Sequence, residues 1–185
     1  RRRLLAEEVR DSVILIGGSM NLAMQDQLMP HKPREYVTAT GFKNTNFNFE
    51  CRSVYLPVIR SAVFSVMQAF DFGDPAVIQG QRASTVSAPQ SLFMMNHNMV
   101  AAASQQVAER TLQAGRQPNT VTEQIYRQIL RRRPTERETE RAVAFTEKNM
   151  AKLKRTESDP ARRREKVWQN LAQVLFSSSE FMFVD

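Results

Sequence analysis

The stretch Asp159-Pro160-Ala161-Arg162-Arg163-Arg164-Glu165-Lys166-Val167-Trp168-Gln169-Asn170-Leu171-Ala172-Gln173-Val174-Leu175-Phe176-Ser177 decides the fold class. An aspartate ahead of a proline has the form of a helix start. The carboxylate accepts an orphan first-turn amide, and proline sits where its missing N–H would have had no partner. Beyond it Val167, Leu171, Val174 and Leu175 fall on one stripe, widened by Trp168 and Phe176, which predicts a helix over 160–177. Upstream, Thr135-Glu136-Arg137-Glu138, Thr120-Val121-Thr122-Glu123 and Ser87-Ala88-Pro89-Gln90 each have the form of a capping box. They predict helices at 136–154, 121–131 and 88–95, with another at 98–114 closed by Gly115. Over 1–16, Leu4, Leu5, Ala6, Val9, Val13 and Ile16 recur at helical spacing, with Glu7, Glu8, Arg10 and Asp11 on the other side. Gly17-Gly18 supplies a left-handed stop there. A shorter helix at 62–70 ends at the turn Asp71-Phe72-Gly73-Asp74-Pro75, and Met20–Met29 has room for one helical turn.

Two stretches break the pattern. Ser53 to Ile59 reads as a short extended segment, held to an edge by Pro57, which has no N–H to give a ladder. Residues 30–50, with Pro30, Pro33, Gly41 and the run Asn44-Thr45-Asn46-Phe47-Asn48, read as one long irregular loop. The expectation is therefore a mainly α chain: an irregular bundle of six to seven helices in a single domain over 1–185.

A chain of 185 residues is long enough for a real hydrophobic core without covalent staples. One cysteine, Cys51, excludes an internal disulfide framework, and two histidines, His31 and His97, leave little for a histidine-rich metal centre. No segment has the roughly 18 consecutive apolar residues of a membrane span. The chain starts at Arg1 and reads as a fragment of a longer protein, with any targeting signal outside it.

Bases outnumber acids 26 to 19, and all but six of the bases are arginines. The excess leans to residues 96–185, which carry 16 bases against 11 acids. Arg131, Arg132 and Arg133, with Arg162, Arg163 and Arg164, form a candidate polyanion-binding set, with an acidic polymer as the partner. Acids are interleaved throughout, so the plainer reading is solvated helix ends. Nucleic-acid binding ranks last, since no helix joins a basic face to base-reading residues.

Paired catalytic chemistry is thin. Asp71 and Asp74 could share a proton or hold a hard cation, but they also suit a turn. His97 stands between Asn96 and Asn98 with no second histidine near, which favours a hydrogen-bonded junction residue over a base. Cys51 beside Arg52 lacks any thiol-enzyme surroundings, and Met94, Met95 and Met99 sit at core spacing. Phe42, Phe47 and Phe49, large rings on an irregular segment, are the candidate partner-docking residues.

Three blocks carry a family resemblance. They are Arg52-Ser53-Val54-Tyr55-Leu56-Pro57-Val58-Ile59-Arg60 with Met67 to Pro75, Arg82 to Asn96, and Ile125 to Glu136 with the ending Leu175 to Asp185. Together they resemble the C-terminal domain of unknown function of large planctomycete secreted or envelope proteins, which often also carry a cytochrome-c-like domain. The resemblance implies an extracytoplasmic location, other domains of the parent chain as partners, and haem in a neighbouring domain. This fragment has no Cys-x-x-Cys-His, so no cofactor is expected in it. The leading expectation is a non-catalytic structural or interaction domain. The alternatives are an accessory part of an enzyme, polysaccharide-related by association only, whose site another domain completes, and arginine-mediated polyanion binding.

Overall fold

A computed structural model describes residues 2–26, 28, 49–58, 63–115 and 117–184. Its helices are α1 (Ala6–Gly17), α2 (Ser65–Ala69), α3 (Ala88–Asn96), α4 (Asn98–Ala114), α5 (Pro118–Leu130), α6 (Glu136–Leu153), α7 (Pro160–Phe176) and α8 (Ser179–Met182). Two short strands, β1 (Arg2–Arg3) and β2 (Phe183–Val184), pair antiparallel. The chain is mainly helical, as its periodicity predicts.

The helix ends follow the local chemistry. The Ala161 amide donates to Asp159 at 2.9 Å, with Pro160 opening α7. At α6 the amides of Thr135 and Glu138 each donate to the other residue's side chain, at 2.7 and 3.3 Å. Gly18, at φ 87°, closes α1 in the left-handed region that glycine enters at least cost. Arg110 donates from Nη1 to the Gly17 carbonyl at 2.5 Å and from Nη2 to that of Ile16, covering the two carbonyls the helix leaves bare.

Four expectations need correction. Helix α1 begins at Ala6 rather than residue 1, because Arg2 and Arg3 pair with Val184 and Phe183, and the Leu4 amide donates to Met182 at 2.9 Å. Helix α5 begins at Pro118, three residues before its expected start. Proline at the first position sets the helix there, and Glu123 pairs with Arg127 at 2.8 Å instead of capping. Residues 53–55 wind into a 3-10 turn, with extended backbone only from Leu56, since Asp11 takes the Ser53 amide that a strand would need. Among residues 20–26 and 28 no helical turn forms; Asn21 bridges to Cys51 instead. Most of the loop expected at 30–50 lies outside the described residues.

One hydrophobic core serves all the helices from α1 to α8. Helix α4 is its axis: Val100, Val107 and Ala108 are fully buried between α7 on one side and α1 on the other. Helix α7 returns Val167, Trp168, Leu171, Ala172 and Phe176, and Phe176 meets Phe181 edge-on with ring centres 5.1 Å apart. Helix α6 closes over α7, leaving α1, α2 and residues 49–58 as a flank on the far side of α4.

Arg132 ties the α5–α6 junction to α8. Its guanidinium grips Glu138 through Nη1 and Nη2 at 2.8 and 2.7 Å, and Glu180 through Nε and Nη2 at 2.5 and 2.7 Å. The ion pair with Arg132, helped by the Thr135 amide and hydroxyl, holds the Glu138 carboxyl down to about 2. The site is about one-third exposed, so solvent screens it, and Arg132→Ala is expected to destabilise by about 1–2 kcal/mol near neutral pH. A carboxyl depressed in the fold contributes stability above its unfolded value near 4.3 and loses it as pH falls toward its folded value. Urea denaturation of both proteins from about pH 6 to about pH 2.5 should therefore show their stability difference closing. A difference that stays constant in acid contradicts the assignment.

Candidate functional site

A groove of about 820 Å³ runs between α1 and the segment 52–58, floored by Phe64 and Met67 and closed at one end by Phe72 and Arg82. Its walls are apolar and open: Leu15 is 50% exposed, Val54 73% and Val58 59%. Residues of this type usually turn inward. Here several of them converge on one concavity.

Two links hold the groove's outer wall. The Asp11 carboxylate accepts from the Ser53 amide at 2.9 Å and the Ser53 hydroxyl at 2.6 Å. Arg10, only 3% exposed, donates to the carbonyls of Cys51 (2.8 Å) and Phe49 and to Ser53 Oγ (3.2 Å). Residues 49–53 thus lie on α1 by hydrogen bonds rather than by a sheet. At the other end Arg82 donates to both Glu7 oxygens, at 2.7 and 2.9 Å, and stacks over the Phe72 ring at 4.7 Å.

The residues singled out in the sequence go to several places. Asp71 is held by Arg3 at 2.8 Å, the Thr85 amide at 2.8 Å and the Thr85 hydroxyl at 2.9 Å. Burial alone would raise the Asp71 carboxyl, but the Thr85 and Arg3 donors together hold it below the usual carboxylate range. Asp74 accepts from the Ala76 amide at 2.8 Å, a turn contact of its own. His97 belongs to a third set, at the α3–α4 junction. Phe49 packs against the core with its ring 6.4 Å from Phe64, while Phe42 and Phe47 lie outside the described residues. Cys51 is buried, and Met94 is buried in the core while Met95 is exposed.

The arginine triplets divide in the same way. Arg131 takes the left-handed position that ends α5, Arg132 forms the clamp, and Arg133 reaches Glu123 at 3.1 Å. Arg162 lies 3.7 Å from Asp159, Arg163 donates to the carbonyls of Glu157 and Ser158, and Arg164 lines a shallow groove beside Trp168. Sequence reasoning missed the groove itself. Its signal was the density of apolar residues in Val54-Tyr55-Leu56-Pro57-Val58, set against the apolar edge of α1.

Among the described residues, Ser65 and His97 make an arrangement with a catalytic look, with Oγ 3.2 Å from Nε2. The ring's other nitrogen excludes that role in this state. Nδ1 accepts the Met99 amide at 3.2 Å, so it carries no proton, and Nε2 carries the proton and donates to Ser65. A base for serine would need the opposite tautomer. His97 is instead the N-cap of α4, stacked on Phe93 at 4.3 Å. Burial lowers its pKa, so as pH falls below about 6.5 the unfolded chain takes up the proton first and stability declines. Asparagine caps without titrating. His97→Asn is expected to flatten the stability slope between about pH 7 and 5 while staying within about 1 kcal/mol of the parent above it, as read by urea midpoints.

Among the described residues no group of three or more His, Cys, Asp or Glu side chains is placed to hold a metal, and no helix is long and apolar enough to cross a membrane. Compared with known proteins, residues 1–146 match a family described as PSD1: Protein of unknown function (DUF1553). No curated protein and no solved structure matches.

Proposed function

Since the chain belongs to the PSD1 family of unknown function, we propose that it is a non-catalytic structural and interaction domain, which docks another part of its parent protein through the groove between α1 and residues 52–58. The observation that carries this reading is the set of half- to mostly exposed apolar residues, Leu15, Val54 and Val58, lining one concavity. Covering them removes apolar surface from water at about 25 cal/mol per Å², the usual driving force for such docking. The resemblance to planctomycete envelope and secreted proteins adds an extracytoplasmic location and a cytochrome-c-like neighbour to the proposal. Phe42 and Phe47 remain docking candidates on the same reading.

Pull-down of the remaining parent chain tests it. Leu15→Asp with Val54→Asp is expected to reduce capture at least tenfold while the chain stays folded with only a small fall in melting temperature, because Val54 is mostly and Leu15 half exposed. Unchanged capture by the folded double variant overturns the proposal.

A further inference from the structure

Charge around the groove is unevenly satisfied. Glu7 is paired with Arg82, Glu8 with Arg2 at 2.6 Å, and Asp11 with Ser53 and Arg10. Arg52 also lines the groove and is exposed, yet among the described residues its guanidinium has neither an ion pair nor a hydrogen bond. The rim therefore presents one uncommitted cation beside an apolar channel, and its carboxylates are already occupied.

The shape of the walls limits what can lie there. Helix α1 runs 12 residues from Ala6 to Gly17, about 18 Å or three helical turns, and lines the groove from Glu7 to Leu15. On the opposite wall the amides of Tyr55 and Leu56 are committed to the carbonyls of Arg52 and Ser53, at 3.0 and 3.1 Å. Among the described residues of this wall, extended backbone begins only at Leu56, and the stretch ends two residues later at Val58, which offers little edge for an added strand. A helix laid along α1 needs no backbone partner and buries its side chains in the channel.

We infer that the occupant of the groove is an amphipathic helix of about three turns, with an apolar face on Leu15, Val54 and Val58 and an acidic residue on the flank facing Arg52. This rests on the docking reading and specifies its partner. The acidic flank selects and orients the helix, and apolar burial supplies most of the affinity.

Three fluorescent peptides of about 14 residues test it, sharing leucines at i, i+3, i+4 and i+7 and differing only in Glu, Gln or Lys flanks. Anisotropy titration of the full chain at low salt is expected to rank them Glu, Gln, Lys, with about fivefold or more between first and last, narrowing at about 0.5 M salt. Arg52→Glu is expected to reverse the order, and Leu15→Asp to abolish binding of all three. Circular dichroism checks that both exposed-site variants remain folded. Equal affinities for the three peptides, still lost in Leu15→Asp, overturn the acidic-flank inference and leave the docking reading standing. Binding of a twelve-carbon fatty acid but of no peptide overturns the inference in favour of a lipid ligand. No binding of any probe, with parent-chain capture unaffected by Leu15→Asp, overturns both.

Discussion

Asp71→Ala is expected to lower stability by about 3–5 kcal/mol. The reason is Arg3. Its side chain is 4% exposed, and Asp71 is its only carboxylate partner among the described residues, at 2.8 Å. Removing that carboxylate leaves a cation in a site closed to water, together with a Thr85 amide and hydroxyl that have lost their acceptor. Alanine adds a second penalty, because residue 71 holds φ at 58°, which Asp and Asn tolerate better than residues without a short polar side chain.

Asp71→Asn separates the two terms. It keeps the backbone preference and an oxygen acceptor but not the charge, and should recover roughly 1–2 kcal/mol of the loss. Arg3→Met combined with Asp71→Asn should be more stable than Asp71→Asn alone, since the uncompensated cation has gone. Because the Asp71 carboxyl is depressed in the fold, its contribution is present above the unfolded value near 3.9 and lost as pH falls below it. Guanidinium-chloride unfolding of the four proteins measures all of this. An Asp71→Ala loss below about 1 kcal/mol would show that solvent reaches Arg3 and that the pair is not a lock.

That lock shows where sequence reading stops. Interactions within about four residues were legible: the Asp159 cap, the Thr135–Glu138 box and the Gly18 stop each stand where local chemistry places them. Gln90 was legible only in part. Its oxygen does accept the Ser87 amide, at 3.2 Å, but its nitrogen also reaches toward Asp71 and Thr85 at 3.5 Å. Arg3 and Asp71 are 68 positions apart, and no periodicity joins them. The same holds for Arg2–Arg3 and Phe183–Val184: a helical pattern beginning at Leu4 could not reveal that the residues before it pair with a distant strand. In the sequence Asp71 and His97 stood out only as weak catalytic candidates, a turn carboxylate and a helix-junction histidine. Local sequence could not show that their partners are Arg3 and Ser65.

Arg10 was misread by the same route, and it carries the second large effect. Amphipathic spacing puts it on the outer side of α1 with Glu7, Glu8 and Asp11, yet the chain folds residues 49–53 across that side and buries it. Arg10→Ala is expected to destabilise by about 2–4 kcal/mol, because the Phe49 and Cys51 carbonyls lose their donor inside the protein. Arg10→Lys should recover less than half of this, since one ammonium on a flexible stem cannot span acceptors that a planar fork reaches together. The loss should also be localised. Hydrogen exchange of the Ser53, Tyr55 and Leu56 amides is expected to rise at least tenfold more than that of Val107 in α4, because the 3-10 turn loses its seat while the α4–α7 core persists. Docking through the groove should weaken in parallel, its outer wall being the element released. If Arg10→Ala accelerates exchange equally at Val107 and Leu56, Arg10 supports the fold as a whole, and the groove wall has no separate seat on α1.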